Sequence, residues 1–267
     1  MFFCLKIASG LNQFIRILFD SSDKIIHKDS LKIPRSNMRT AIIQSNYFPW
    51  KGYFDIIHEV DAFVFLEDVQ YTHRDWRNRN KIKTPGGVKW ISVPVLGGIN
   101  QKIYEAKIDY SQDWRKKHIL SIHHSYASAP YYESYESEIL ELFSKKFISI
   151  SELNIYSIKK ISKILGIDTK FFNSKDLHID NTKDDKLIKI CQIIGADSYF
   201  SGPAAKNYIC PEKFLKAKIE LSYKEYIGYP AYPQLWGNFE STVSIIDVIF
   251  NCGEKSPYYI WEWRNGK

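Results

Sequence analysis

The chain has 267 residues, of which 45 % are hydrophobic, and its formal net charge is +7. This content is ample for one sizeable core or two small ones, and no run reaches the roughly 18 apolar residues that a membrane-spanning helix needs. The positive charge favours an anionic partner, such as a nucleotide, a phosphosugar, a nucleic acid or a membrane surface, without choosing among them.

The four cysteines are scattered along the chain, at Cys4, Cys191, Cys210 and Cys252. They form no CxxC pair, and none belongs to a Cys/His cluster with the spacing of a zinc site. This usage is typical of thiols in a reducing compartment. We therefore expect a cytoplasmic protein without a structural metal.

Residues 1–37 are expected to lie outside the folded domain. The start, MFFCLKIASGLNQFIRILF, is apolar in part, but Lys6, Gln13 and Arg16 interrupt it and no small-residue cleavage site follows. A signal peptide is therefore not expected, and a membrane-surface helix stays open as an alternative. Met38, the second of two methionines, directly precedes a strand, which favours a poorly ordered extension or a misassigned start.

The first predicted elements form a compact βαβ unit. Thr40–Gln44 is predicted as a buried strand, about Lys51 to His58 as a short helix, and Ala62–Leu66 as a second strand. Two strands joined by a helix in so few residues run parallel, and such crossovers are right-handed.

A hairpin and a helical middle segment follow. Lys81 to Val95 contains two extended runs around a Pro-Gly-Gly turn, which predicts an antiparallel hairpin. The predicted helices are Trp114–Tyr126, Tyr132–Lys146, Leu153–Leu165, Asp184–Ile194 and Val243–Phe250, and the remaining strands are Lys170–Phe172, Asp197–Phe200 and Ile219–Tyr226. The alternation predicts an α/β fold with a mostly parallel, Rossmann-like sheet, an inserted β-hairpin and a helical middle segment.

The turn after the first strand, QSNYFPWKGYFD, is unusually rich in aromatic residues. Ligands bind outside the carboxyl ends of strands in open parallel sheets, so this turn stands over the expected site. We expect Gln44, Asn46, Tyr47 and Trp50 to face a ligand, while Phe48 and neighbouring rings pack the helix onto the sheet. Packing alone would also explain the rings.

The second strand ends in polar residues that belong to the same edge. If the strand continues, Asp68 and Gln70 lie on one face. Asp68 is a candidate general base or cation ligand, and a turn cap is the alternative.

The segment RDWRNRNKIK, residues 74–83, carries five cations within ten residues. Arg77, Arg79, Lys81 and Lys83 are two residues apart, so an extended chain places all four on one face. The opposite face receives Trp76, Asn78, Asn80 and Ile82. A row of cations fits a phosphate or diphosphate, because arginine binds phosphate oxygens bidentately. A charged, solvated edge strand is the alternative.

Three further residues are candidates. His118 lies in a predicted helix with no partner at metal-ligand spacing, so a structural histidine or a catalytic acid/base is favoured over a metal ligand. Ser201 follows a predicted strand and is a candidate hydrogen-bond donor to a ligand. Gln234 lies in a second aromatic loop, where it either binds a sugar or base or only packs.

Several motifs in order resemble the WbqC-like protein family. They are IQSNYFPWKGYFDII, LEDVQYTHRDWRNRNKI, VKWISVPV, KKHILSIHHSYASAPYY, ADSYFSGPAAKNY, YPAYPQLWGNFE and SIIDVIFNCG. The resemblance runs from about Met38 to Gly253, which implies a domain over residues 38–253 and a C-terminal tail over 254–267. Ser45 departs from the family pattern, where proline is expected, and Ala204-Ala205 stands where glycine is common.

The resemblance implies a role in bacterial O-antigen or other surface-polysaccharide biosynthesis, where the family is associated with glycine transfer to an amino sugar. It assigns no catalytic roles. The positions that it carries over are Gln44, Tyr47, Pro49, Trp50, Gly52, Asp68, Gln70, Trp76, Arg79, Asn80, Lys81, Trp90, His118, Tyr126, Gly202, Tyr208, Gln234, Phe239 and Asp247.

The resulting hypothesis is an amide-forming aminoacyl (glycyl) transferase acting on a nucleotide-linked amino sugar. Amide formation from a free amino acid is uphill, so the donor needs ATP or a pre-activated form such as a charged tRNA or a carrier thioester. In this hypothesis the protein binds nucleic acid only if the donor is a charged tRNA. The alternative is a non-catalytic nucleic-acid-binding protein that uses residues 74–83.

Overall fold

The computed structural model of the protein describes residues 38–266. Its strands, in chain order, are β1 (Arg39–Ile43), β2 (Ala62–Phe65), β3 (Arg79–Thr84), β4 (Gly87–Ser92), β5 (Lys170–Asn173), β6 (Ser198–Ser201) and β7 (Glu220–Tyr223). Its α-helices are α1 (Lys51–His58), α2 (Trp114–Tyr126), α3 (Tyr132–Ser144), α4 (Ile150–Ile164), α5 (Lys183–Ile194), α6 (Pro211–Lys216) and α7 (Ile245–Cys252). Short 3₁₀ turns connect several of them.

Five of the strands form one parallel sheet in the order β5-β2-β1-β6-β7, and β3 and β4 form a separate antiparallel hairpin. This arrangement confirms the predicted α/β class. The chain builds the sheet outward from β1 in one direction and then returns to add β6 and β7 on the other side. The order therefore reverses between β1 and β6, where open α/β sheets bind their ligands.

The sheet is covered on both faces, as parallel sheets are. Side chains alternate across β1, so Ala41 packs into the larger apolar cluster with α1, α4 and α7, while Ile42 packs into a smaller one with α5 and α6. All four residues of β2 are buried. Both clusters lie in residues 38–266, and the carboxyl ends of the strands between them form the functional edge.

Most predicted elements appear within a few residues of their expected bounds. α4 begins at Ile150, before its predicted start at Leu153, because the Ser149 hydroxyl caps it, accepting from the Glu152 N–H at 3.2 Å. Gly166 and Gly195 adopt positive φ just beyond α4 and α5, as helix-ending glycines do.

The segment after α7 packs onto the same domain. Ile260 and Trp261 are buried in the larger cluster, and the Arg264 guanidinium binds the buried Asp55 carboxylate of α1. The predicted domain boundaries, at 37/38 and 253/254, stay a prediction. Residues 1–37, the predicted extension, lie outside the residues that the structure describes. Among the described helices, none is both long and apolar enough to cross a bilayer.

Candidate functional site

The turn after β1 and the segment before β3 are joined by hydrogen bonds. The Arg77 guanidinium donates to Asn46 Oδ1 at 2.7 Å and also to Gln44 Oε1, and the Tyr47 N–H donates to the Trp76 carbonyl at 2.8 Å. The expected meeting of the aromatic turn and the cationic segment therefore occurs. Arg77 is held there by two amide oxygens, so it orients the turn at the carboxyl end of β1.

Four side chains of the hairpin region form an exposed surface that we call the aromatic platform: Trp76, Trp90, Arg79 and Lys81. The two indoles lie 5.2 Å apart between ring centroids and are 40 % and 39 % exposed. The Arg79 guanidinium lies 4.2 Å and the Lys81 ammonium 5.5 Å from the Trp90 ring centroid. Cations interleaved with exposed indole faces can hold a planar or sugar ring and its phosphates together.

A small pocket of about 200 Å³ adjoins the platform. It is lined by Asn46, Pro49, Trp50, Trp76, Asn80 and Thr242. The Asn80 amide donates to the Tyr47 and Phe48 carbonyls at 3.2 and 2.6 Å, which fixes the turn from the hairpin side. The Trp50 indole lies over the first turn of α1, where Gly52 leaves room for it: a Cβ on Gly52 would lie 2.6 Å from Trp50 Cη2.

The predicted row of four cations divides into three environments. Arg79 and Lys81 lie on the platform, Arg77 precedes β3 and contacts the turn, and Lys83 is 4 % exposed. The Lys83 ammonium donates to Gln234 Oε1 at 3.0 Å and to the Asn238 carbonyl, both in the long loop before α7. That loop covers the end of β3, so spacing along the strand did not determine accessibility.

Tyr47 and His118 are placed together in the interior and not at the surface. Tyr47 is fully buried, and its hydroxyl lies 2.8 Å from His118 Nδ1, while His118 Nε2 lies 3.1 Å from the Ser92 carbonyl. Burial lowers the pKa of His118 to about 4. Tyr47 therefore does not face a ligand as expected, and both ring nitrogens of His118 are engaged in holding the turn, α2 and β4 together. Phe48 is buried, as expected.

Asp68 and Gln70 lie beyond the end of β2, on a different part of the edge from the platform. The Asp68 carboxylate binds the Lys186 ammonium of α5 and the Ser174 hydroxyl, both at 2.5 Å. Gln70 is exposed, and its backbone bridges to Lys102. These contacts connect Asp68 to the α5 side of the sheet.

Ser201 and Gln234 are also engaged within the protein. Ser201 is buried, and its hydroxyl lies 3.1 Å from the Tyr199 hydroxyl. The Gln234 amide donates to the Asp247 carboxylate at 2.9 Å and to the Glu240 carbonyl at 2.9 Å. Gln234 thus shapes the loop before α7. The predicted site residues that come together at the platform and its pocket are Asn46, Trp50, Trp76, Arg79, Asn80 and Lys81, and Gln44 lies beside them through its contact with Arg77.

A buried network lies under that loop, and the sequence did not predict that its members would contact one another. It consists of Lys51, Lys83, Tyr126, Tyr232, Gln234 and Asp247. The Asp247 carboxylate accepts from the Tyr126 and Tyr232 hydroxyls at 3.0 and 2.8 Å, and burial raises its pKa. The one carboxylate inside the apolar stretch SIIDVIF was the available signal, because a charge is rarely buried without partners.

Lys51, at the start of α1, is the least expected member of the buried network. It is 2 % exposed, donates to the Pro230 carbonyl at 3.3 Å, and lies 5.1 Å from the ring centroids of both Tyr229 and Tyr232. Burial lowers its pKa to about 8. Its place after Trp50 in an aromatic-rich turn was visible in the sequence, but the loop that covers it was not.

Glu67, also missed, ties the ends of β1 and β2 together. Its buried carboxylate accepts from the Ser45 N–H at 2.8 Å and the Ser45 hydroxyl at 3.0 Å, and burial raises its pKa. Across the described residues, no group of three or more His, Cys, Asp or Glu is arranged to hold a metal ion. The groups suited to an anionic ligand are the platform cations.

Comparison with known proteins gives one consistent result. The profile of the WbqC-like protein family matches residues 44–259. The uncharacterized protein Rv1507c of Mycobacterium tuberculosis is 41 % identical over 225 residues, which are 83 % of this chain and 97 % of that protein. No solved structure matches the chain.

Proposed function

We propose that this protein, which belongs to the WbqC-like protein family, is an aminoacyl (glycyl) transferase that forms an amide on a nucleotide-linked amino sugar. The observation that carries the proposal is the aromatic platform beside the pocket at the carboxyl end of β1. The surface-polysaccharide context comes from the family resemblance.

The platform suits the acceptor because its two kinds of group match the two parts of a nucleotide sugar. Trp76 and Trp90 offer exposed ring faces for a base or sugar, and Arg79 and Lys81 lie over Trp90 within reach of a diphosphate. Asn46 and Trp50 line the adjoining pocket, where the amino sugar would lie. Arg77 and Gln44 position that turn and need not touch the acceptor.

The reaction joins the acceptor nitrogen to the glycyl carbonyl carbon. The bond between that carbonyl and its activating group breaks, and the activating group leaves as AMP, free tRNA or a carrier thiol, according to the donor. With ATP, the glycine carboxylate first bonds to the α-phosphorus and pyrophosphate leaves, which gives the glycyl adenylate. The amine must lose a proton, because only the neutral amine is a nucleophile. ATP or a pre-activated aminoacyl group is therefore the co-substrate in this proposal.

For the proton acceptor we propose Asp68 and not His118, which requires the acceptor amine to reach from the pocket toward the end of β2. His118 is buried with both nitrogens engaged, whereas the Asp68 side chain is 11 % exposed at the carboxyl end of β2. The Asp68 carboxylate binds the Lys186 ammonium through one oxygen and the Ser174 hydroxyl through the other, so the amine would displace one of these contacts. His118 acts through Tyr47 as a positioning residue.

The test is a product-mass assay with purified full-length protein. The protein is incubated with glycine and ATP, or with glycyl-tRNA, together with a panel of nucleotide-linked amino sugars. We expect one acceptor to gain a glycyl residue, with Arg79→Ala weakening acceptor binding and Asp68→Asn lowering turnover with binding retained. Absence of product with every donor and acceptor would contradict the proposal.

The exposed Trp76 and Trp90 with their interleaved cations also fit a second candidate, a protein that binds single-stranded nucleic acid by stacking. That function predicts affinity for oligonucleotides that falls steeply as salt rises, through release of counterions. Filter binding of a single-stranded oligonucleotide at 50 and 200 mM salt distinguishes the two, because a nucleotide sugar carries far fewer phosphates.

A further inference from the structure

A second cavity lies where the strand order reverses, on the face of the sheet opposite α1. We call it the switch-point crevice. Its volume is about 370 Å³, and it is lined by Ile42, Leu66, Val69, Lys183, Asp184, Lys186, Leu187, Tyr199 and Tyr208. The volume lies at the lower end of the range of small-molecule sites, about 300–1,000 Å³, so it is large for free glycine and suits a nucleoside.

The crevice opens where the hydrogen-bonded pairing of β1 and β6 stops before their carboxyl ends. They pair only at Arg39↔Ser198 and Thr40↔Tyr199, although β6 continues to Ser201 and pairs there with β7. Ile42, at the end of β1, is thereby left facing the gap. Separation of neighbouring parallel strands at a reversal of strand order is the geometry that admits ligands in doubly wound sheets.

The walls of the crevice are apolar on one side and carry charges of both signs on the other. Ile42, Leu66, Val69 and Leu187 supply the apolar side, and Tyr208 adds an aromatic ring that is 71 % exposed. Two of the charged side chains already have partners within the protein. Lys186 is neutralised by Asp68, and the Asp184 carboxylate accepts from the Cys210 N–H at 3.0 Å.

Lys183 is therefore the cation of the crevice that is available to a ligand. It is exposed, and within residues 38–266 its side chain has no ion pair or hydrogen bond. From this combination we infer that the switch-point crevice binds a nucleoside phosphate, with its base against Tyr208 and the apolar side and its phosphates toward Lys183. This is a site separate from the aromatic platform.

The inference deepens the proposed function. Only one part of it rests on that function, namely that the bound nucleotide is the ATP that activates glycine. Binding itself needs no amide chemistry. The two can fail separately: ATP binding in the crevice without product would leave the crevice standing, and product from glycyl-tRNA without ATP binding would leave the transferase standing.

The test is calorimetric titration of the full-length protein with ATP, CTP and UTP. We expect at least one of these nucleotides to bind. Lys183→Glu and Tyr208→Ala should each lower its affinity tenfold or more. Both replaced side chains are exposed, so neither substitution should change the thermal midpoint of unfolding. Lys189→Glu, at an exposed lysine of the same helix, is the matched control and should retain more of the affinity. Tyr258→Ala, which removes an exposed ring that lines neither the platform nor the crevice, should retain it fully.

Photolabelling with 8-azido-ATP gives an independent readout, with the label expected in peptides that contain Tyr208 or Leu66. The inference is overturned by the absence of binding to all three nucleotides at millimolar concentration. It is equally overturned if affinity falls with Trp90→Ala but not with Tyr208→Ala, since the platform would then be the nucleotide site.

Discussion

The aromatic platform and the buried network use the same strand in opposite ways. Lys81 and Lys83 are two residues apart on β3, yet Lys81 lies over the exposed Trp90 ring while Lys83 is buried against Gln234. The platform side chains contribute little to the free energy of folding and stay available to a ligand. The buried network leaves no group available, and its hydrogen bonds hold the loop before α7 onto α1 and β3.

This comparison shows why a charge pattern alone does not identify a binding surface. Alternation along β3 fixes the face of a side chain, whereas accessibility depends on what the rest of the chain lays over that face. Substitutions in the buried network should therefore affect stability first, and substitutions on the platform should affect binding first.

The largest effect is expected for Asp247→Ala. It removes the carboxylate that accepts from Tyr126, Tyr232 and Gln234, and leaves the two buried tyrosine hydroxyls without this acceptor beside two lysines. Breaking a buried charged group from its partners costs about 3–5 kcal/mol of the free energy of unfolding. Urea unfolding measures the change in the free energy of unfolding, and Asp168→Ala, at an exposed aspartate, is the control. A loss under about 1 kcal/mol in Asp247→Ala would show that the network does not hold the loop.

The next effect is a pH dependence that comes from His118. Burial lowers its pKa from 6.5 to about 4, so the unfolded chain binds this proton at pH values where the folded protein does not. The stability that neutral His118 confers is complete above pH 6.5 and is lost as pH falls toward 4. Between pH 7.5 and 5 the loss amounts to roughly 2 kcal/mol.

Unfolding of the wild type and of His118→Gln at both pH values isolates this contribution. The fall in unfolding free energy should be smaller in His118→Gln, while His124→Gln, at an exposed histidine of the same helix, should behave as the wild type. Equal falls in all three proteins would mean that His118 takes up a proton without leaving its place between Tyr47 and Ser92.

Much of the fold could be predicted from the sequence because local signals agreed with one another. The βαβ unit followed from two apolar runs around a short helix, and the hairpin from its Pro-Gly-Gly turn. The position of the aromatic turn at the ligand-binding edge followed from one rule, that ligands bind outside the carboxyl ends of parallel strands. These features depend on neighbours along the chain or on sheet topology.

The rest depended on contacts between distant segments. The burial of Lys51 and Lys83 requires the loop at residues 224–244, which has no repeating pattern and is placed by its own hydrogen bonds. Likewise, the Tyr47 ring turned inward because His118, 71 residues later, offers its hydroxyl a partner. Such pairs become visible only once three-dimensional neighbours are known.

A smaller effect is expected for Gly52→Ala, which tests the contact between the two regions. Glycine to alanine inside a helix ordinarily stabilises by about 1 kcal/mol. Here the new Cβ would lie 2.6 Å from Trp50 Cη2, and relieving such overpacking costs about 1–3 kcal/mol. We expect a net loss of about 1 kcal/mol and a displaced Trp50, read from its fluorescence; Gly98→Ala, with open space around it, is the control.

The smallest effect on stability, and the clearest on binding, is expected for Trp90→Ala. Trp90 is 39 % exposed on β4 and pairs across the hairpin with Lys81, so its loss should cost under about 1 kcal/mol of unfolding free energy. Because a stacked ring contributes about 1–3 kcal/mol, affinity for the nucleotide-linked acceptor should fall about tenfold or more. Tyr258→Ala removes another exposed ring elsewhere and should leave that affinity unchanged.

A different outcome would contradict this assignment. If Trp90→Ala instead unfolded the hairpin while acceptor affinity per folded molecule persisted, the platform would be part of the scaffold, as the buried network is. The binding surface would then have to be sought at the switch-point crevice.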